Sequence, residues 1–340
     1  MILIHLTRLC AALLAALTTA SVLHAQNTQF SVPFLTVRDL ETPQGPTPNF
    51  GDGRSSLRAG RCVVEDVNTG AFSDVLALGP TFLREQLLRV ETITVQDPAA
   101  LLAKAPPAAA TPLALYVHGY FIDFDKGCRR AALLQQNAQL AGRMIWFTWP
   151  SDGDIANYVQ DEADLYWSVP DIADAILAVN ARSKAAGGAD IIGHSLGGRG
   201  VTLALAEVAR RAPDTRLGDV VLLAPDMDFD IFARLLSRIR PIAKRITVYV
   251  SDKDRPLDLS EELHGYPRLG QAGNDVAGLD GVEFIDVSTL PAENPSGHLY
   301  HIHNAAVGRD LARLLNDDLP ASDRPHLAPS GANTWVILPD

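Results

Sequence analysis

Ser195 stands at the centre of Gly193-His194-Ser195-Leu196-Gly197, and its surroundings indicate what chemistry it could do. A serine hydroxyl is a poor nucleophile at neutral pH. It becomes a good one when a histidine takes its proton and a carboxylate holds that histidine in place. Before the pentapeptide, Asp190-Ile191-Ile192 is a short β-branched run that reads as a buried strand. After it, Leu196 to Ala212 carries Val201, Leu203, Leu205, Val208 and Ala209 at spacings that suit one face of a helix. At such a strand-to-helix junction the serine adopts a strained conformation, and only small residues two positions to either side avoid a clash. The bland alternative is a glycine-rich turn whose serine caps the following helix.

The partners of this serine should come in the chain order serine, acid, histidine. Asp254 is the first choice of acid, in the turn-rich stretch Ser251-Asp252-Lys253-Asp254-Arg255-Pro256 after a predicted strand. Asp252 sits closer to that strand, and Asp226, in Ala224-Pro225-Asp226, could serve from the preceding one. Any of the three could instead be a turn or cap aspartate. For the histidine, His298 follows Ser296-Gly297, where glycine permits a tight approach, while His301 and His303 lie nearer a helix and suit packing or capping. The three histidines also have spacings found in zinc sites, but no supporting acid or cysteine cluster accompanies them, so no metal and no cofactor is expected. The oxyanion of an acyl-transfer intermediate needs two N–H donors. Leu196 would offer one, and Tyr120, in Val117-His118-Gly119-Tyr120, the other, with His118 orienting the turn.

These groups need a scaffold, and the sequence alternates accordingly. Strands are predicted at Leu113 to Val117, Met144 to Thr148, the serine's own run, Val220 to Leu223, Ile246 to Val250 and Val282 to Val287. Helices fall between them at Lys126 to Ala141, at Ala156 to Trp167 and Asp171 to Lys184 divided by Pro170, and at Phe229 to Ile239, with a last one over Ala305 to Leu315. That alternation implies an α/β fold, a mostly parallel sheet with helices on both faces and its functional groups at the carboxyl ends of the strands. Residues 26–80 read as loops with short strands, with Cys62-Val63-Val64 and Leu88 to Val95 as the better strand candidates, and Pro98 to Pro112 reads as a linker. The expected division is 1–25 as a signal peptide, 26–110 as an N-terminal extension packed on the core, 111–318 as the core and 319–340 as a tail.

Arg8 and the apolar stretch Leu9 to Leu23, ending near Ala25, have the make-up of an export signal cleaved before Gln26. The mature chain would then be periplasmic or secreted, with no further stretch apolar enough to span a membrane. The formal charge of −11 argues against nucleic acid as a partner, and no protein partner is predicted. In an oxidising compartment Cys62 and Cys128, the two cysteines beyond the signal, would form a disulfide, two buried thiols being the alternative.

The segment from Leu115 to about Leu315 resembles a bacterial α/β-hydrolase family of unknown function. The matching residues are His118-Gly119-Tyr120, Phe147-Thr148-Trp149-Pro150-Ser151, Gly193 to Gly197, Ala224-Pro225-Asp226, Tyr249 to Asp254 and Gly297-His298-Leu299-Tyr300. The lead-in Gly51-Asp52-Gly53-Arg54-Ser55-Ser56 is similar less tightly. The resemblance implies an α/β-hydrolase fold, a triad of Ser195, Asp254 and His298, and oxyanion donors at Leu196 and Tyr120. The activity it suggests is hydrolysis of a small-molecule or lipid ester through an acyl-enzyme. Acyl transfer on the same triad, or a non-catalytic binding protein with this fold, are the competing readings.

Overall fold

The computed structural model describes residues 28–41, 48–67, 81–105 and 111–338. The export signal expected over residues 1–25 lies outside them. Among the described residues eleven strands form one sheet, in the spatial order 327–331, 334–337, 282–286, 243–250, 217–223, 190–194, 114–117, 144–148, 29–41, 49–66 and 88–96. The middle of it comprises β4 (Ala114–Val117), β5 (Met144–Thr148), β6 (Asp190–His194), β7 (Leu217–Leu223), β8 (Ala243–Val250) and β9 (Val282–Asp286), all parallel. Every residue of β4 to β7 is buried, as expected of parallel strands covered on both faces. Alternate residues feed opposite cores. Leu115, Ile191, Val220 and Ile246 enter one, and Ala114, Ile192, Val221 and Tyr249 the other.

The N-terminal extension joins this sheet directly. β1 (Gln29–Glu41) runs parallel to β5, pairing Phe34 with Trp146 and Thr36 with Thr148. β2 (Asn49–Asp66) and β3 (Leu88–Gln96) continue antiparallel to the rim, and both β1 and β2 are longer than the turn-rich composition suggested. Cys62 on β2 is disulfide-linked to Cys128 on α2 (Phe124–Asn137), with Cα atoms 6.6 Å apart. At the opposite rim, β10 (Leu327–Gly331) and β11 (Thr334–Ile337) turn what reads as a tail into strands, β11 pairing parallel to β9.

Two further expectations are corrected. Pro98 to Pro112 is not a linker throughout, because α1 (Pro98–Lys104) starts there, capped by Asp97 and led by a proline in its first turn, where the missing N–H costs nothing. The two helices expected around Pro170 are one, α3 (Tyr158–Ser183). Its buried positions, Asp161, Leu165, Ser168, Ile172, Ile176 and Val179, keep one helical phase across Pro170, which is itself exposed. The remaining helices are α4 (Leu196–Arg211), α5 (Phe229–Ile239), α6 (Arg255–His264), α7 (Tyr300–His303) and α8 (Ala305–Leu315). Among the described residues no helix is long and apolar enough to cross a membrane.

Candidate active site

Ser195 closes β6 and opens α4 with φ 55° and ψ −125°, a positive φ that a non-glycine residue holds only under constraint. The constraint comes from its hydrogen bonds and its small neighbours. The Ser195 N–H donates to Leu223 O at 3.0 Å, and its carbonyl accepts from Gly198 N at 2.9 Å and Asp226 N at 3.1 Å. A Cβ on Gly193 would come within 2.7 Å of Gly198 Cα, and one on Gly197 would run into the carbonyl oxygens of Val117 and His118. The elbow thus packs backbone against backbone, directly under the turn that ends β4. On the other side of the serine, a Cβ on Gly119 would lie 2.8 Å from Ser195 Cβ, so the residue before Tyr120 stands against the serine itself.

His298 and Asp254 meet across two loops. The Nδ1 of His298 lies 2.7 Å from Oδ2 and 2.9 Å from Oδ1 of Asp254, whose side chain is fully buried. Asp254 also caps α6, accepting from Leu257 N at 3.2 Å, so the cap reading and the pairing hold together. Gly297, at φ 71°, abuts the Lys253 carbonyl so closely that no side chain would fit, which brings the histidine loop onto the acid loop. Nδ1 beside a carboxylate is the protonated nitrogen, leaving Nε2 as the basic one.

The other candidate acids and histidines have different surroundings. Asp226 is buried in an ion cluster. Arg268 Nε lies 2.9 Å and Arg199 Nη2 3.2 Å from Oδ1, Ser260 donates to the same oxygen at 2.6 Å, and Tyr158 donates to Oδ2 at 2.5 Å. Burial alone would raise its pKa, but the two guanidiniums together with the hydrogen bonds from Ser260 and Tyr158 outweigh burial and hold it below its usual value. Asp252 donates its N–H to Ser288 at the surface. His301 and His303 lie in α7, and His301 packs at a tilt against His194 with ring centroids 4.1 Å apart. His194 in turn lies 4.6 Å from the His298 ring, its Nε2 3.2 Å from the His298 carbonyl. Burial first, then the neighbouring histidines, drives His194 and His301 well below the ordinary histidine pKa, so both are neutral imidazoles. Among the described residues, no group of three or more His, Cys, Asp or Glu side chains is arranged to hold a metal ion.

Beneath the turn at Gly119-Tyr120 lies a group whose His118, Thr148 and Trp149 fall in the sequence motifs and whose Arg38 does not. His118 stacks on Trp149 at 5.1 Å, and its Nδ1 lies 2.7 Å from Gly119 O. Its Nε2 lies 3.1 Å from Thr148 Oγ1 and accepts from Trp149 N at 3.3 Å. These partners assign the Nδ1–H tautomer. Thr148 Oγ1 accepts in turn from Nε of Arg38, a β1 residue only 1% exposed. A Gly or Ser motif can be read locally, whereas Arg38 sits on a strand 110 residues from Thr148 and no local spacing marks it. Above the turn, Tyr120 packs edge-on against Tyr158 at the start of α3 and its hydroxyl donates to Ile155 O.

A family model described as an alpha/beta hydrolase of unknown function, DUF900, matches residues 101–317. Solved structures with a similar chain course include an esterase from Pyrobaculum calidifontis, with 13% identity over 77% of this chain and 83% of that one, at a TM-score of 0.36. An ester hydrolase from the metagenome of Lake Arreo, complexed with a bipyridine phosphonate derivative, has 14% identity over 82% of each chain, at 0.36. A lipase-esterase related protein from Clostridium acetobutylicum ATCC 824 has 13% identity over 62% of this chain and 95% of that one, at 0.35. No curated protein matches the sequence.

Proposed function

The chain belongs to the alpha/beta hydrolase family of unknown function whose model it matches, and from this we propose that it is a serine hydrolase of carboxylic esters. The observation that carries the reading is the pairing of His298 Nδ1 with the buried Asp254 at 2.7 Å, on the same sheet edge where β6 ends in Ser195 at positive φ. Ser195 Oγ attacks the ester carbonyl as His298 Nε2 takes its proton, and Asp254 holds the imidazole and balances the imidazolium. The N–H groups of Leu196 and Tyr120 receive the oxyanion. His298 then returns the proton to the departing alcohol, and a water activated by the same histidine releases the acid from the acyl-enzyme. Every bond made or broken is accounted for by these groups and water.

An exported, oxidised protein fits this reading. The Cys62–Cys128 link is the kind of bond that persists outside the cytosol. The test is a fluorophosphonate probe and a panel of p-nitrophenyl esters on the mature chain. Labelling and turnover that both vanish in Ser195→Ala support the serine mechanism. Turnover that persists in Ser195→Ala, or no labelling of the wild type, overturns it.

A further inference from the structure

We propose that Arg38, from the N-terminal extension, is a positioning residue for the turn that presents the Tyr120 N–H to Ser195; this rests on the serine-hydrolase reading above. One guanidinium holds the turn at both ends. At the far end, Arg38 Nη2 donates to Ile122 O at 2.6 Å. At the near end, Arg38 Nε donates to Thr148 Oγ1 at 2.8 Å, Thr148 meets His118 Nε2 at 3.1 Å, and His118 Nδ1 meets Gly119 O at 2.7 Å. Nη1 ties in the loop after β5 through Ser151 O at 2.8 Å and strand β2 through Gly51 O at 3.0 Å. Three carbonyls and a hydroxyl thus use the fixed fork of a guanidinium, which an ammonium could not reproduce.

The turn needs such a hold. Phe121 within it has φ 63°, a conformation that costs a bulky residue free energy and persists only when its surroundings fix it. The Phe121 N–H donates to Asp161 at 3.2 Å and the Ile122 N–H to Ser151 Oγ at 2.9 Å, so the first turn of α3 and the loop after β5 also secure the amides that follow Tyr120. Arg38, Thr148 and His118 are all essentially buried, so their bonds are shielded from water and hold one geometry. Burial lowers the Arg38 pKa to about 10, against the pull of Asp123, Asp161, Asp52 and Asp39, and it stays a cation at neutral pH. An oxyanion donor must sit within a few tenths of an ångström of its place, and misplacement by about 1 Å can cost about 100-fold in rate. A strand outside the matched segment 101–317 therefore sets the geometry of the reacting centre.

The experiment compares Arg38→Lys, Thr148→Val and the exposed Arg89→Gln with the wild type, using p-nitrophenyl butyrate turnover, thermal unfolding and hydrogen exchange at the Tyr120 and Phe121 amides. Thr148→Val keeps the shape of the side chain and leaves Arg38 in place while cutting the relay to His118. The expected result is a kcat lower by about 10- to 100-fold with KM within about twofold, and faster exchange at the two amides, in both Thr148→Val and Arg38→Lys. Arg89→Gln should match the wild type. Wild-type kcat in Thr148→Val overturns the proposal, as does a loss carried by KM alone, or faster exchange without a change in kcat. Ser195→Ala run alongside separates the two ideas, since turnover that survives it sinks the serine reading and leaves the exchange data to judge the brace. If Arg38→Lys does not fold, Thr148→Val decides alone.

Discussion

His298 Nδ1 faces both carboxylate oxygens of Asp254, at 2.7 and 2.9 Å, while Asp226 is turned away toward Arg199 and Arg268. The two aspartates should therefore fail differently on conversion to the amide. Asp254→Asn should reduce kcat by about 10⁴ with little change in KM, because the amide favours the wrong imidazole tautomer. Asp226→Asn should lower stability by about 3 kcal/mol, the scale for breaking a buried ion pair, and reduce activity only as far as folded protein is lost. Steady-state kinetics and urea unfolding on both variants check this, and a dead but stable Asp226→Asn would reverse the assignment.

Gly119 has no room for a methyl group beside Ser195, since the added carbon would sit 2.8 Å from Ser195 Cβ. Gly119→Ala should cut turnover by about 100-fold through displacement of the turn or the serine. Fluorophosphonate labelling rates should fall in parallel. An unchanged labelling rate would show that the turn does not bear on the nucleophile.

Acid should destabilise the fold. His118, with burial first and Arg38 second, is held well below the ordinary histidine pKa, as are His194 and His301, and burial brings His303 to about 4. The unfolded chain takes protons at these positions that the folded chain refuses. Their stabilisation is complete above the unfolded value of about 6.5 and is lost as pH falls toward the folded values. Asp161 and Asp219, raised by burial to about 6 and about 7, act in the opposite sense, losing stability as pH rises from their unfolded values. Asp125, Asp171 and Asp190 are raised by burial as well, but by less, so above about pH 5 four histidines stand against two carboxylates and leave a net positive slope up to about pH 6.5, at most about 3 kcal/mol per unit. Unfolding midpoints across that range measure it, and His301→Phe should flatten the slope. A midpoint that rises on acidification would refute this.

The Cys62–Cys128 link joins residues 66 apart in sequence, and in the chain-entropy model closing such a loop contributes about 4 kcal/mol. Reduction, or Cys62→Ala with Cys128→Ala, should lower the thermal midpoint while leaving KM unchanged in the protein that stays folded. Calorimetry with and without dithiothreitol tests this, and a midpoint insensitive to the reductant would count against it.

The parts of the site legible in the sequence are those written in a few adjacent residues. Gly193 to Gly197 and His118-Gly119-Tyr120 follow short apolar strands, and the loops holding Asp254 and His298 come in order after later strands. What stayed hidden depends on distant pairing. Arg38 falls in a stretch that reads as loops with short strands and gains its partners only when β1 is set beside β5, and Asp226 reads as an alternative acid or a turn aspartate until Arg199 and Arg268 close on it. The unbroken α3 was masked because Pro170 carries a strong local signal, while the burial phase that overrides it spans several turns. The strands at 327–337 were missed because they are short, and Pro329 and Gly331 weaken their pattern.

The sheet is extended at both rims, by β1 to β3 on one side and by β10 to β11 on the other. Without the first, the outermost strand would be Met144-Ile145-Trp146-Phe147-Thr148, an apolar run with unpaired amides facing solvent. Such an edge is a template for pairing with another chain. β1 therefore covers an edge that would otherwise be open to pairing, and versions shortened at that end should be lost to aggregates before their chemistry can be assayed.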